Sequence, residues 1–377
     1  MAREKNIVVA GHICLDITPV FPPDKVANVG EVLIPGKLIL MDGVSLHVGG
    51  SVGNTGLALR KIGVDACLMG KIGKDAFGDM ILGLLKKYQG EKGMIIDEAV
   101  ESAYSVVLAI AGLDRMFLHS MGANDTFVAD DLDFSTIAES TLFHFGYPQA
   151  LKMLYQNQGE ELIKMLEKVK ALGVPISLDM VILDPKSAGA KENWLKIAEK
   201  MIPLVDFFVP SAEELCYTLD QERYQGWMEK AKGKDIEEII SMEDIEALGE
   251  QSIELGAKVV FIKCGAAGVY YRTATASKMT DLCEKLHLNL ADWADKKGFE
   301  TSYVPRRVAS ATGAGDTCIA AFLAAVLRED KLEKAVQLAV AQGACCVEEY
   351  DSLSGLKSLE ELEDKIQLGW QKNEPMI

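Results

Sequence analysis

Short apolar runs alternate with longer amphipathic stretches along most of this chain. Runs typical of buried strands occur at Ile7–Gly11, Ala66–Gly70, Thr141–Phe145, Pro175–Asp179, Phe207–Pro210 and Lys258–Lys263. Helical periodicity covers Ala76–Tyr88 and Gly159–Leu172. Such alternation predicts an α/β fold, a doubly wound, mostly parallel sheet with right-handed crossovers. Two stretches break the rhythm. Residues 14–48 and 101–121 show short alternating segments with turns such as Gly112-Leu113-Asp114-Arg115, and they are expected to form a small β lid that excludes water. The main domain then comprises residues 1–13, 49–100 and 122–377. No repeat or low-complexity segment interrupts it.

Composition narrows the class. With 377 residues and 49% hydrophobic content, the chain can bury one large core and still carry a lid. A net charge of −17 argues against nucleic acid or an anionic membrane as partner, because a phosphate-binding surface needs a basic face. The eight cysteines contain no C-x-x-C pair, and adjacent Cys345-Cys346 are not spaced for zinc. That usage fits a reduced, cytoplasmic setting. Met1-Ala2-Arg3-Glu4-Lys5 leads straight into a strand without signal-peptide anatomy, and no apolar run approaches the ~20 residues that span a bilayer.

The densest chemistry lies at Ala311-Thr312-Gly313-Ala314-Gly315-Asp316-Thr317, which runs directly into the apolar stretch Cys318–Leu327. Gly313 and Gly315 allow the amides of Ala314, Gly315 and Asp316 to converge at a helix N-terminus, where the dipole favours an anion. Asp316 in the first turn is then placed to accept a proton from a hydroxyl. Standing alone, the run reads more readily as a Gly-rich helix start with an acidic cap. A second element supports the functional reading. His47-Val48-Gly49-Gly50-Ser51-Val52-Gly53-Asn54 opens a helical pattern running to about Ile62, with Ser51 and Asn54 a turn apart, although Ser51 by itself reads as an N-cap. Asp16 lies just beyond the first strand, where open α/β sheets bind ligands and a carboxylate can grip hydroxyls.

On these residues the chain resembles the ribokinase, or PfkB, family of carbohydrate kinases. Gly49-Gly50-Ser51-x-x-Asn54, then Gly70-x-x-Gly73-x-Asp75-x-Phe77-Gly78, then Gly313-Ala314-Gly315-Asp316 occur in the family's order. The resemblance implies a ribokinase-like fold and Mg2+-dependent transfer of a phosphoryl group from ATP to a hydroxyl of a sugar or similar small molecule. It also implies that Asp316 is the catalytic base and that Gly313, Ala314 and Gly315 form the anion hole. Asp16, Gly49, Gly50, Ser51 and Asn54 would grip the substrate. The strand and turn Val259–Val269, with Lys263, Gly265 and Gly268, would border ATP; Gly265-x-x-Gly268 alone reads as a hairpin, and Lys263 as either a triphosphate ligand or a solvated surface lysine.

Departures from the family pattern qualify the picture. Ser211-Ala212-Glu213-Glu214 replaces Asn-x-x-Glu, leaving Glu214 to place Mg2+ through water. Ser310 stands where a carboxylate helps hold a monovalent cation, so activation by K+ is not expected. Asp179-Met180-Val181-Ile182-Leu183 keeps only the first residue of Asp-x-Asn-x-Arg. Two regions look inserted: a charged, solvated helix within Asp220–Glu250, and an amphipathic helix within Ala274–Tyr303 near the nucleotide edge. Arg115, Phe117 and His119 alternate and share one face of a lid strand. Arg115 suits a phosphorylated sugar, whereas Phe21, Tyr104 and Phe117 suit a nucleoside; Asp16 and Asn54 favour a neutral sugar or polyol. A nucleoside kinase and a non-catalytic sugar-binding regulator stand as alternatives. Lid edges are expected to pair in a homodimer.

Overall fold

The computed structural model describes residues 5–22, 24–113, 115–232, 236 and 239–374. Met1–Glu4, Asp114, Glu237 and Glu238, which figure in the expectations above, lie outside the described residues. The strands are β1 (Asn6–Gly11), β2 (Cys14–Val20), β3 (Gly43–Gly49), β4 (Asp65–Met69), β5 (Lys71–Gly73), β6 (Ile95–Asp97), β7 (Tyr104–Leu108), β8 (Met116–Ser120), β9 (Leu142–Gly146), β10 (Ile176–Asp179), β11 (Phe207–Phe208), β12 (Val259–Cys264), β13 (Gly268–Thr273) and β14 (Lys297–Thr301).

Eight of them form one sheet in the order β14-β13-β12-β11-β10-β9-β1-β4. From β12 to β4 every pair is parallel, and β13 and β14 add two antiparallel strands at one edge. Alternate residues of the central strands enter different cores. Ile7, Val9, Val259 and Phe261 pack into one apolar cluster, while Val8, Ala10, Val260 and Ile262 pack into another. A strand apolar on both faces must be covered on both, and helices do so. Helices Ala314–Leu327 and Leu332–Cys346 supply the first cluster; helices Trp194–Met201, Ala212–Leu219 and Met242–Leu255 supply the second.

Helix Ala314–Leu327 is buried along nearly all of its length, which is why its sequence shows no polar stripe. A separate four-stranded sheet, ordered β3-β2-β7-β8, draws on both segments that break the strand–helix alternation. β5 and β6 pair on their own. Strand order reverses where β1 lies between β4 and β9, and the crevice lies beyond the C-terminal ends of these strands, which stay paired through Gly11 and Gly146.

Two expectations need correction. Ala274–Tyr303 is not a helix alone: helix Ala276–Leu286 is followed by β14, which extends the main sheet beyond β13. Within Asp220–Glu250 there are two helices, Gln221–Ala231 and Met242–Leu255, and they are not merely solvated. Tyr224, Trp227, Ile245 and Leu248 are buried, which accounts for the apolar positions among the charges. Among the described residues no helix is long and apolar enough to cross a membrane, and none of the eight cysteines is in a disulfide.

Candidate active site

The crevice at the ends of β1 and β9 opens into a cavity of about 1090 Å³. Asp316 forms its floor, in the first turn of helix Ala314–Leu327. The helix starts at Gly313, whose φ of 72° is left-handed, and a Cβ there would meet Ser352 Cβ at 2.4 Å. Ala314 N donates to Ala311 O at 3.3 Å and Thr317 N donates to Gly313 O at 2.8 Å. The amides of Gly315 and Asp316, which precede the helical ladder, are therefore the ones left to meet an anion. Sequence reasoning had counted the Ala314 amide among them; the local turn engages it.

Asp316 is held by three donors. Tyr147 Oη and Thr55 Oγ1 donate to its Oδ1 at 2.7 and 3.1 Å, and Asn54 Nδ2 donates to its Oδ2 at 3.1 Å. A carboxylate offers about four acceptor positions, so one on Oδ2 remains for a further donor. Burial raises the Asp316 carboxyl above the usual range, while the bond from Tyr147, the charge of Lys263 and the amide of Asn54 pull the other way. Asn54, expected to grip substrate, spends its amide on Asp316 and accepts from Ser352 Oγ at 3.0 Å. It orients the acid while still lining the cavity.

Lys263 is neither on the surface nor solvated. It leaves β12 beside Gly315, where an added Cβ would lie 3.4 Å from its Cδ, and its Nζ sits 2.6 Å from Asp179 Oδ1 and 3.8 Å from Glu214 Oε2. Burial disfavours its charge, but Asp179 and Glu214 outweigh burial and keep the ammonium protonated. Ser211, in place of the family's asparagine, caps helix Ala212–Leu219 in a reciprocal box with Glu214, which leaves Glu214 Oε1 uncommitted. Val181, Ile182 and Leu183, which stand in the segment after Asp179, form an apolar wall of the cavity.

At the opposite end, Asp16 on β2 accepts from Cys14 Sγ at 3.3 Å. Burial raises its carboxyl to about 6. Gly49 permits its approach, since a Cβ there would lie 2.2 Å from Asp16 Oδ2. Gly50, at φ 78°, lets the chain turn against His12. His12 Nε2 lies 3.2 Å from His119 Nε2, whose Nδ1 is 2.8 Å from Ser105 Oγ. Burial lowers the His12 imidazole to about 3, with His119 adding to the effect. Arg115, Phe117 and His119 all line the cavity, and Arg115 Nη1 also donates to Ser310 Oγ at 3.3 Å.

The structure thus gathers Asp16, Gly50, Asn54, Gly313 and Asp316 on one cavity, with Gly315, Lys263 and Glu214 behind its floor. Ser51 points away: it is buried, makes no helix-capping bond and reaches only His12 O at 3.5 Å. Gly265 and Gly268 close the hairpin between β12 and β13 and do not line the cavity. Phe21 does not line it either. Sequence reasoning missed Tyr147, Thr55 and the pairing of Asp179. Tyr147 carried one available signal, the Gly-Tyr-Pro sequence at the end of a buried strand.

The chain matches the pfkB family of carbohydrate kinases over residues 4–358. It belongs to the pfkB carbohydrate kinase family. An uncharacterized sugar kinase of Archaeoglobus fulgidus is 22% identical over 302 residues, spanning 80% of this chain and 98% of that protein. A fructokinase-2 of rice, Oryza sativa subsp. japonica, is 23% identical over 372 residues, spanning 95% and 93%. Among solved structures, a fructokinase of Xylella fastidiosa with bound ATP superposes at a TM-score of 0.69 over 97% of this chain and 99% of that one, at 18% identity. The ribokinase-like fold is shared, and phosphotransfer is the chemistry of the family.

Proposed function

We propose that this protein transfers the γ-phosphoryl group of ATP to a hydroxyl of a neutral sugar or sugar-like molecule. One observation carries the reading: Asp316 lines the cavity at the N-terminus of a buried helix, and its three donors leave one acceptor position on Oδ2. The acceptor hydroxyl would donate to Asp316 Oδ2. As its oxygen bonds to phosphorus and the bond to the ADP oxygen breaks, the proton passes to Asp316. Charge developing on the transferred group meets the amides of Gly315 and Asp316 and the helix dipole, with the Lys263 ammonium alongside. Asp16 would hold other hydroxyls of the acceptor. Gly265 and Gly268 would border the nucleotide from the sheet edge.

The residues present fit Mg2+. Glu214 Oε1 is a hard oxygen without a partner among the described residues, next to the phosphate side of the floor, and it would hold the ion through water. When bound, that ion neutralises phosphate charge.

The small sheet of β2, β3, β7 and β8 would act as a lid, and a homodimer is the expected assembly. Its edge strands β3 and β8 expose Val44, Phe117 and Leu118. A monomer in light scattering would remove the dimer and leave the chemistry untouched. Eight cysteines without a disulfide fit a cytoplasmic location.

A nucleoside acceptor is the second reading, favoured by Tyr104 and Phe117 on the cavity wall. A sugar-binding regulator would have no use for a carboxylate with an open acceptor at a helix N-terminus. ADP release measured against a panel of sugars, polyols and nucleosides separates all three. Release with none of them would refute the kinase reading.

A further inference from the structure

The acceptor end of the cavity holds a donor set that phosphoryl transfer does not use. His12 follows β1, Cys14 opens β2 two residues later and His119 lies on β8, so two backbone segments distant in sequence converge. One donor atom from each residue lies within 4.8 Å of the other two. The two imidazoles face each other through Nε2 at 3.2 Å. Two nitrogens bound at 2.0–2.1 Å with a tetrahedral angle are separated by about 3.3 Å, so the histidines already stand at ligand spacing. Ser105 Oγ, 2.8 Å from His119 Nδ1, orients that ring as an outer partner does in metal sites. Cys14 Sγ lies within 4.8 Å of a ring nitrogen of each imidazole, and Asp16 Oδ1 at 3.3 Å is an acceptor for the thiol proton.

We propose that His12, Cys14 and His119 bind a divalent transition-metal cation of the zinc class, with the fourth position open to the cavity. Two imidazoles and a thiolate select such an ion over Mg2+, so this site is distinct in chemistry from the Glu214 region. Binding forms one metal–sulfur and two metal–nitrogen bonds and releases one proton from Cys14 to Asp16 or solvent. The ion ties β8 to the loop after β1 and stands beside Asp16. On the kinase reading above, it therefore inhibits in competition with the acceptor and not with ATP.

The test uses the untagged full chain without nucleotide. Equilibrium dialysis should show one Zn2+ per chain that excess Mg2+ does not displace. Co2+ should give a near-ultraviolet thiolate-to-cobalt band. His119→Ala, at a position exposed on its strand, should weaken binding by ~10-fold or more. Cys14→Ser should abolish the cobalt band. No saturable binding, or full binding retained by both variants, would overturn the site. Dialysis and spectrum answer whether or not any acceptor is phosphorylated; zinc inhibition competitive with ATP would overturn only the inhibitory role.

Discussion

Replacing Asp316 with asparagine tests the proposed base with little disturbance of its surroundings. Asp316 Oδ1 takes Tyr147 and Thr55, and Oδ2 takes Asn54. The amide oxygen of Asp316→Asn can keep the first two. Its NH2 group would face the Asn54 amide donor at about the 3.1 Å now seen. Asn54 relieves this by turning over, because Ser352, which now donates to Asn54 Oδ1 at 3.0 Å, can accept instead. The packing therefore survives, but the open position becomes a donor and the acceptor proton has nowhere to go. Loss of a positioned base lowers turnover by ~10²–10⁴-fold, about 2.7–5.4 kcal/mol of barrier.

Stability should move the opposite way. Burial holds the Asp316 carboxyl above its unfolded range, so the penalty on the fold is full at pH above the folded value, shrinks as pH falls through it and is gone only below the unfolded value. The amide carries no charge. Asp316→Asn should therefore melt at or above the wild-type temperature at pH 7–8, with the gain fading in acid. ADP release with the best acceptor of the panel, nucleotide binding by calorimetry and thermal melting at several pH values supply the readouts. Near-normal turnover with normal melting would remove Asp316 from the base role.

Other expected outcomes follow from neighbouring contacts. Tyr147→Phe removes a 2.7 Å donor that lowers the Asp316 carboxyl, so the acid limb of the kcat/KM profile should move to higher pH; a stationary limb would disprove the coupling. Lys263→Met strands the buried Asp179 without its cation and should cost ~3–5 kcal/mol in urea unfolding, partly recovered in Lys263→Met/Asp179→Asn. Wild-type stability of the single variant would show that the pair is not coupled. Exchange of K+ for tetramethylammonium should leave activity unchanged, since Ser310 supplies no carboxylate and Arg115 already donates to its hydroxyl; saturable K+ activation would contradict this.

What the sequence made legible was local. The strand runs, the glycines before Asp316 and the short segments of the small sheet each follow from a pattern contained in fewer than about ten residues. Of the two motif glycines expected to take dihedrals closed to other residues, Gly313 has a positive φ and Gly315, inside the helix, does not. What it hid depends on pairings across long separations. Tyr147 meets Asp316 from 169 residues away, and Lys263 finds Asp179 from 84. No periodicity encodes either contact, and a lysine at a strand end reads as solvated until the sheet brings to it a carboxylate from β10, two strands away across β11. Ser51 misled for the same reason: its spacing to Asn54 fixes a helix face, but that face turns toward the packed ends of β1 and β9.

The charge around the floor sets a constraint that the motifs alone do not reveal. Asp316, Asp179 and Glu214 surround one buried ammonium, so three carboxylates face a single fixed cation. Burial raises the carboxyls of both Asp316 and Asp179, which eases the imbalance without removing it. A triphosphate entering by itself would meet a helix dipole and Lys263 in its favour but a carboxylate excess against it, in a cavity with one apolar wall where charges are poorly screened. Neutralising that excess requires positive charge brought in with the nucleotide. On the proposed reading the open oxygen of Glu214 would receive it, so the same residues that make the empty floor unfavourable for bare phosphate would tie phosphoryl transfer to a divalent cation.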